Sequence, residues 1–257
     1  MITLETSAGL ANRMRAVASA VSLARKYETG LKVIWPRNNA LNCDFNSLFL
    51  PIKGVEVCCS SLPIWYFDKI IAKIKYKHAY LSITMNNNAE LIEAISKGHN
   101  VYINTFSQFF DVDSYKCFRP TSQIEAKVNK LLPEDSSNLI GIHIRRGDNQ
   151  KSISMSPTQL FIDSIRLELM SNPKAKFYLA TDSKQDEERL ISIFGDKIIT
   201  NKNKEFSRRV GLGIEDALVD LICLSKTEKI FGSYWSSFSE TAAIMGKEKE
   251  IKILVIE

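Results

Sequence analysis

From residue 139 to residue 256, short apolar runs alternate with amphipathic stretches, and few folds accommodate such a pattern. The runs at 139–144, 176–181, 197–200, 229–232 and 251–256 are strand-length, and the stretches at 157–170, 184–194, 213–226 and 237–246 carry helical spacing. Strands that are continuously apolar are buried on both faces, and strands separated by helices pair in parallel. The second half of the chain is therefore predicted to be a doubly wound parallel α/β sheet. Ser156 and Pro157 supply an N-cap and a first-turn proline for the helix at 157–170. The polar, basic segment Asn201–Arg209 is expected to be a flexible loop over the site, and Glu215, Asp216 and Asp220 the solvated face of the helix at 213–226.

The strand at 139–144 stops abruptly at LIGIHIRRGDNQ, where His143 and Ile144 are followed by Arg145, Arg146, Gly147 and Asp148. Ligands of open α/β sheets sit beyond the carboxyl ends of the strands, so two guanidiniums at that position would meet an anion. Arginine forks match phosphate oxygens bidentately and stay charged, and Gly147 lets the chain turn behind them. The alternative is a solvated strand end with a surface ion pair between Arg146 and Asp148. Two further strand ends bear polar clusters. Thr181, Asp182 and Ser183 close LATDS, where Ser183 or Asp182 can cap the next helix and Asp182 can accept hydrogen bonds from a guanine edge. GSYWSSFSE places Ser233, Ser236, Ser237, Phe238 and Ser239 at a helix start, where hydroxyls and free amides suit a pyrophosphate.

The first half opens with a strand at 2–6, a helix at 10–27 and a strand at 32–35, a βαβ unit. Its turn, SAGLANR, holds Gly9, Leu10, Asn12 and Arg13 at the start of the helix, a candidate anion or acceptor loop. Helical spacing recurs at Trp65–Tyr76 and Ala89–Ser96, and Phe106, Phe109, Phe110, Tyr115 and Phe118 are read as core or as the wall of an acceptor cleft. A domain boundary is placed near Arg119–Thr121, giving domains 1–120 and 121–257, which the resemblance drawn below makes the acceptor-side and the nucleotide-sugar-binding domain.

The net charge of +5 is dispersed through the chain without a basic arm or tail, which argues against a nucleic-acid partner. Five cysteines without a CxxC point to reduced thiols rather than to disulfides or zinc, and no histidine spacing suggests a metal. The start MITLET lacks the marks of a secretory signal and no apolar run reaches membrane-spanning length, so a cytoplasmic location is expected, with peripheral membrane association left open.

Together these stretches resemble the α-1,2-fucosyltransferases and, more distantly, the core α-1,6 and protein O-fucosyltransferases. HIRRGD (143–148) is similar to the GDP-binding signature of the family and SSFS (236–239) to its last motif, although Glu240 and Thr241 stand where paired tryptophans usually follow. AGLANRMRAVASAVSLA (8–24) resembles the N-terminal motif, with Ala11, Asn12 and Arg13 in place of Gly-Asn-Gln, and VYINTFSQFFD (101–111) the aromatic-glutamine stretch. The resemblance implies a GT-B architecture, two Rossmann-like domains facing across a cleft. It also implies an inverting, metal-independent transfer of fucose from GDP-fucose to a glycan hydroxyl, with no cofactor. On that reading Arg145 neutralises the β-phosphate, Arg146 shapes the site or contacts base or ribose, and His143 and Asp182 contact guanine. Thr181, Ser183, Asn12 and the serines with Phe238 complete the donor site. Asp148, on the arginine loop, is the candidate general base. The competing readings are a transferase using another nucleotide sugar, a nucleotide-sugar-binding protein without turnover, and a basic nucleic-acid-binding module.

Overall fold

The computed structural model describes residues 1–61, 76–112, 115–147, 149–247 and 249–256. It contains two five-stranded sheets whose strand pairs are all parallel. By their internal contacts, Met1–Thr121 with Ser207–Glu215 form one unit, and Ser122–Phe206 with Asp216–Glu257 form the other.

In the first unit the strands Ile2–Thr6 (β1), Leu31–Arg37 (β2), Val55–Ser61 (β3), His78–Leu81 (β4) and Val101–Thr105 (β5) lie in the order β3-β2-β1-β5-β4. Every residue of β1 is buried, as expected of a central strand covered on both faces. The helix Leu10–Lys26 follows it and ends with Arg25 and Lys26 in its last turn, where cations favour the helix dipole. Sequence periodicity finds β1, β2 and the helix Ala89–Ser96 but not β3, β4 or β5. VYINT is β5, and of the five aromatics assigned to core or cleft wall, Phe109, Phe110, Tyr115 and Phe118 are core while Phe106 is exposed. The helix expected at Trp65–Tyr76 falls outside the described residues, Tyr76 apart.

In the second unit the strands Leu139–Ile144 (β6), Lys176–Thr181 (β7), Ile198–Ile199 (β8), Lys229–Ser233 (β9) and Glu250–Leu254 (β10) lie in the order β10-β9-β6-β7-β8. The doubly wound sheet is thus observed. The chain builds outward from β6 to β8, then returns to the other flank of β6 as β9, so the direction of winding reverses between β6 and β9. Ile140, Ile142 and Ile144 pack with Phe161, Ile165, Phe177 and Leu179 in the core on one face. Pro157 is the N-cap of the helix Thr158–Ser171, and a short helix, Gln150–Met155, precedes it where none was expected.

The other face of β6 and β7 corrects two expectations. Asp216 and Asp220 are buried, each 5% exposed, rather than solvated. Asp220 accepts from Lys204 Nζ at 3.0 Å and from the Tyr178 hydroxyl at 2.7 Å, and Lys204 also meets Glu187 at 3.2 Å. Burial raises the Asp220 and Tyr178 pKa values; for Lys204, burial opposes the charge but the two carboxylates outweigh it, and its pKa rises. Asp216 accepts the Glu205 amide at 3.0 Å and Lys127 Nζ at 3.2 Å. The segment Asn201–Arg209, expected to be flexible, is therefore pinned from beneath by two aspartates. Its end belongs with the first unit, where Asn42 donates to the Arg208 and Arg209 carbonyls at 3.1 and 2.8 Å.

Candidate active site

A crevice opens where the winding of a parallel sheet reverses, because the connections leave β6 and β9 toward opposite faces. The carboxyl end of β6 delivers Arg145 and Arg146 to that point, and the end of β9 delivers Ser233 with the serine turn after it. One hydroxyl ties the two strand ends together: Ser233 Oγ accepts the Arg145 amide at 2.9 Å and donates to the His143 carbonyl at 3.1 Å. The Arg145 carbonyl is held in turn by Ser152 Oγ at 2.9 Å. The Arg145 backbone is thus held at both its amide and its carbonyl.

The two arginines are not equivalent. Arg146 donates from Nε to Asp186 at 3.1 Å, from Nη2 to Thr158 Oγ1 at 2.9 Å and from Nη1 to the Arg145 carbonyl at 2.9 Å, so its fork is committed to holding the loop. Burial lowers its pKa and Asp186 partly restores it. Of the two roles open to it, shaping the site is the one its geometry serves. The Arg145 guanidinium pairs with Asp182, whose Oδ1 accepts the Arg146 amide at 2.7 Å. Asp182 thus sits against both arginines, leaving the capping to Ser183, whose hydroxyl accepts the Asp186 amide at 3.2 Å. Thr181 Oγ1 accepts the Ser183 amide at 3.1 Å. Gly147 has a φ of +43°, and a Cβ there would fall 2.8 Å from Asp182 Oδ2. Only glycine fits this turn. Asp148 lies outside the described residues.

His143 is 5% exposed and stacks on Phe238, with ring centroids 4.9 Å apart. Burial, reinforced by Arg145, Lys204 and Arg146, lowers its pKa to about 3, so it is a neutral imidazole near pH 7. Among the described residues its buried Nδ1 has no hydrogen-bond partner, and a buried acceptor is costly unless it is satisfied. Of the serines, Ser233, Ser236 and Ser239 are buried, and Ser239 Oγ donates to the Ser236 carbonyl at 3.3 Å. Gly232 makes room for this, since a Cβ there would meet Ser239 Oγ at 2.9 Å. Ser236 is the N-cap of the helix Ser237–Met245 without a side-chain cap bond, so that helix start keeps amides for an anion.

In the first unit, Gly9 is the N-cap of the helix Leu10–Lys26. Arg13, expected in an anion or acceptor loop, is fully buried: it donates from Nε to the Ala8 carbonyl at 2.9 Å, from Nη1 to the Pro36 carbonyl at 2.5 Å and from Nη2 to Asn38 at 3.2 Å. Burial lowers its pKa to about 10. Its three nitrogens cross-link the helix start to β2 and the turn that follows. Leu10 is buried, and Asn12 Oδ1 accepts from Arg15 Nε at 3.1 Å. Thr158, Asp186, Ser152 and Ser233, which hold the arginine loop, went unassigned or were read only as part of a serine cluster. Asp186, three residues beyond the Ser183 cap, was the most accessible of them from sequence. Among the described residues no group of three or more His, Cys, Asp or Glu is placed to hold a metal ion, and no helix is long and apolar enough to cross a membrane.

Two doubly wound parallel sheets in succession define a GT-B-like α/β fold, and solved structures share it. The α-1,6-fucosyltransferase NodZ, a Bradyrhizobium protein crystallised with GDP, matches 95% of this chain over 92% of its own, with a TM-score of 0.65 and 19% identity. FUT1 of Arabidopsis thaliana in complex with GDP matches 98% over 69%, with a TM-score of 0.62 and 18% identity. POFUT1 in complex with GDP-fucose matches 100% over 98%, with a TM-score of 0.57 and 10% identity. No protein-family model and no curated protein matches the sequence. At these identities the likeness establishes the fold.

Proposed function

We propose that this protein is an inverting glycosyltransferase that moves fucose from GDP-fucose to a glycan hydroxyl, with the donor held by the second unit. The observation that carries the reading is the meeting of Arg145 with Ser233 and the uncapped helix start at Ser237, between β6 and β9, in a fold shared with fucosyltransferases crystallised with GDP or GDP-fucose. As the glycosidic bond breaks, charge develops on the β-phosphate. A preorganised guanidinium and uncapped helix amides stabilise charge where it appears, and this is where leaving-group stabilisation acts. Arg145 is the catalytic contact and Arg146, held by Asp186 and Thr158, positions it. Phosphate oxygens entering the crevice would compete with Asp182 for the Arg145 fork.

Neutral His143 has the free Nδ1 to accept from a guanine edge, and Thr181, Asp182 and Ser183 stand at the end of the neighbouring strand. The HIRRGD and SSFS motifs assign the α-1,2 type within this reading, and Asp148 remains its general base. Asp148→Asn then lowers transfer with GDP affinity kept; a matching loss of GDP affinity would make Asp148 a brace instead. The primary test is release of GDP from GDP-fucose in excess EDTA. Turnover that persists supports an arginine-based leaving-group site; activity abolished by EDTA and restored by magnesium or manganese defeats the metal-free account.

A further inference from the structure

Trp235 sits in the turn between β9 and the helix Ser237–Met245 with two unfavourable features. It is 63% exposed, and its φ is +55°, in the left-handed region where a bulky side chain is strained. Glycine would make the same turn without cost. The strained conformation is nevertheless held from outside, because Asn149, on the arginine loop, donates from Nδ2 to the Trp235 carbonyl at 3.0 Å, and the preceding Tyr234 amide donates to Ser156 Oγ at 2.9 Å. Lys151 Nζ lies 3.8 Å from the ring centroid and caps one face. A residue so exposed keeps the rest of its ring for another body. Strain stored beside a crevice is a pointer to function.

The position says which body. Along the sheet, β6 lies between β9 and β7, so the Arg145 loop has the Trp235 turn on one flank and Thr181–Ser183 on the other. A nucleoside diphosphate sugar with its phosphates on Arg145 and its base by Thr181–Ser183 directs its sugar toward the β9 flank. We propose that Trp235 is a stacking platform for a pyranose ring, of the donor or of the acceptor, and so a specificity-determining residue; this rests on the donor-site reading above. The apolar C–H face of a sugar matches an indole face in shape and in lack of hydrogen-bonding demand, and the hydroxyls around its rim stay in water.

The test compares Trp235→Gly, which keeps the left-handed turn, and Trp235→Phe, which keeps a ring. GDP affinity, GDP-fucose affinity, transfer to a panel of free mono- and disaccharides, and Tm are measured for each. Trp235→Gly is expected to keep its Tm and to bind GDP within about twofold of wild type, and to lose roughly tenfold in one arm, with Trp235→Phe recovering most of it. A donor ring shows as weaker GDP-fucose binding relative to GDP, an acceptor ring as a raised acceptor KM. Unchanged values in both arms overturn the proposal, and so does an equal loss of GDP and GDP-fucose affinity, which would put the nucleoside on the ring. Wild-type protein that binds no GDP removes the donor site itself, and the stacking platform with it, before any variant is compared.

Discussion

Both units place an arginine shortly after their first strand, and the two arginines are used in opposite ways. Arg13 is fully buried with its donors on two backbone carbonyls and one amide oxygen, and among the described residues it pairs with no carboxylate. Arg145 stands at the reversal between β6 and β9, pairs with the carboxylate of Asp182 and keeps 13% of its side chain exposed. Carbonyls of the fold cannot be exchanged for a ligand without unfolding the turn that offers them. A carboxylate at the mouth of a crevice can be exchanged for a phosphate. The partner set, rather than the presence of an arginine at a strand end, separates a guanidinium committed to the fold from one that a ligand can claim.

The largest expected effect falls on Arg145. Arg145→Lys keeps the charge and loses the fork, so kcat on GDP-fucose should drop by roughly a hundredfold or more with the melting curve unchanged. Steady-state kinetics beside a thermal melt checks this, and full activity in a folded variant breaks the comparison at its functional end. Arg13→Met tests the other end. One buried and two part-buried acceptors lose donors worth about 1 kcal/mol each, partly offset by removal of a desolvated charge, so stability should fall by about 2 kcal/mol and Tm by roughly 4–8 °C. GDP affinity should not move. A stable Arg13→Met variant that has lost GDP binding would return Arg13 to the ligand.

A third effect, visible only as a pH dependence, concerns His143, whose pKa is lowered by burial from 6.5 to about 3. Between those values the unfolded chain binds the proton and the folded one does not, so stability falls as pH falls from about 6.5 toward 3. From pH 7 to pH 5 the histidine contributes a loss of roughly 2 kcal/mol, and His143→Asn should lose that part of the slope. Equal pH slopes in denaturant melts of the two proteins would show that His143 is not the neutral group described.

The second unit was readable because its strands are buried on both faces. LIGIHI, KFYLAT and KIFG are dense in apolar and β-branched residues, and the polar side chains that follow them mark the ligand end of the sheet. The first unit was harder for the same reason in reverse: VEVCC and HAYL belong to partly exposed edge strands whose composition does not separate them from loop. The burial of Asp216 and Asp220 was illegible because their partners, Lys127 and Lys204, lie at long separations and no helical pattern announces them. The burial of Arg13 was illegible for a related reason, since backbone carbonyls leave no mark in a sequence. At the site, the arginine and serine motifs could be seen as residue types, whereas the division of labour between Arg145 and Arg146 depends on Asp186 and Thr158, which only the fold brings together.

Calorimetric titration of nucleotides into wild type, Arg145→Lys and Arg13→Met tests the central claim most directly. The account predicts that wild type binds GDP more tightly than UDP, ADP or CMP, that Arg145→Lys weakens GDP at least tenfold, and that Arg13→Met leaves it unchanged. Equal affinity for all four nucleotides, or GDP binding that ignores Arg145, would contradict it.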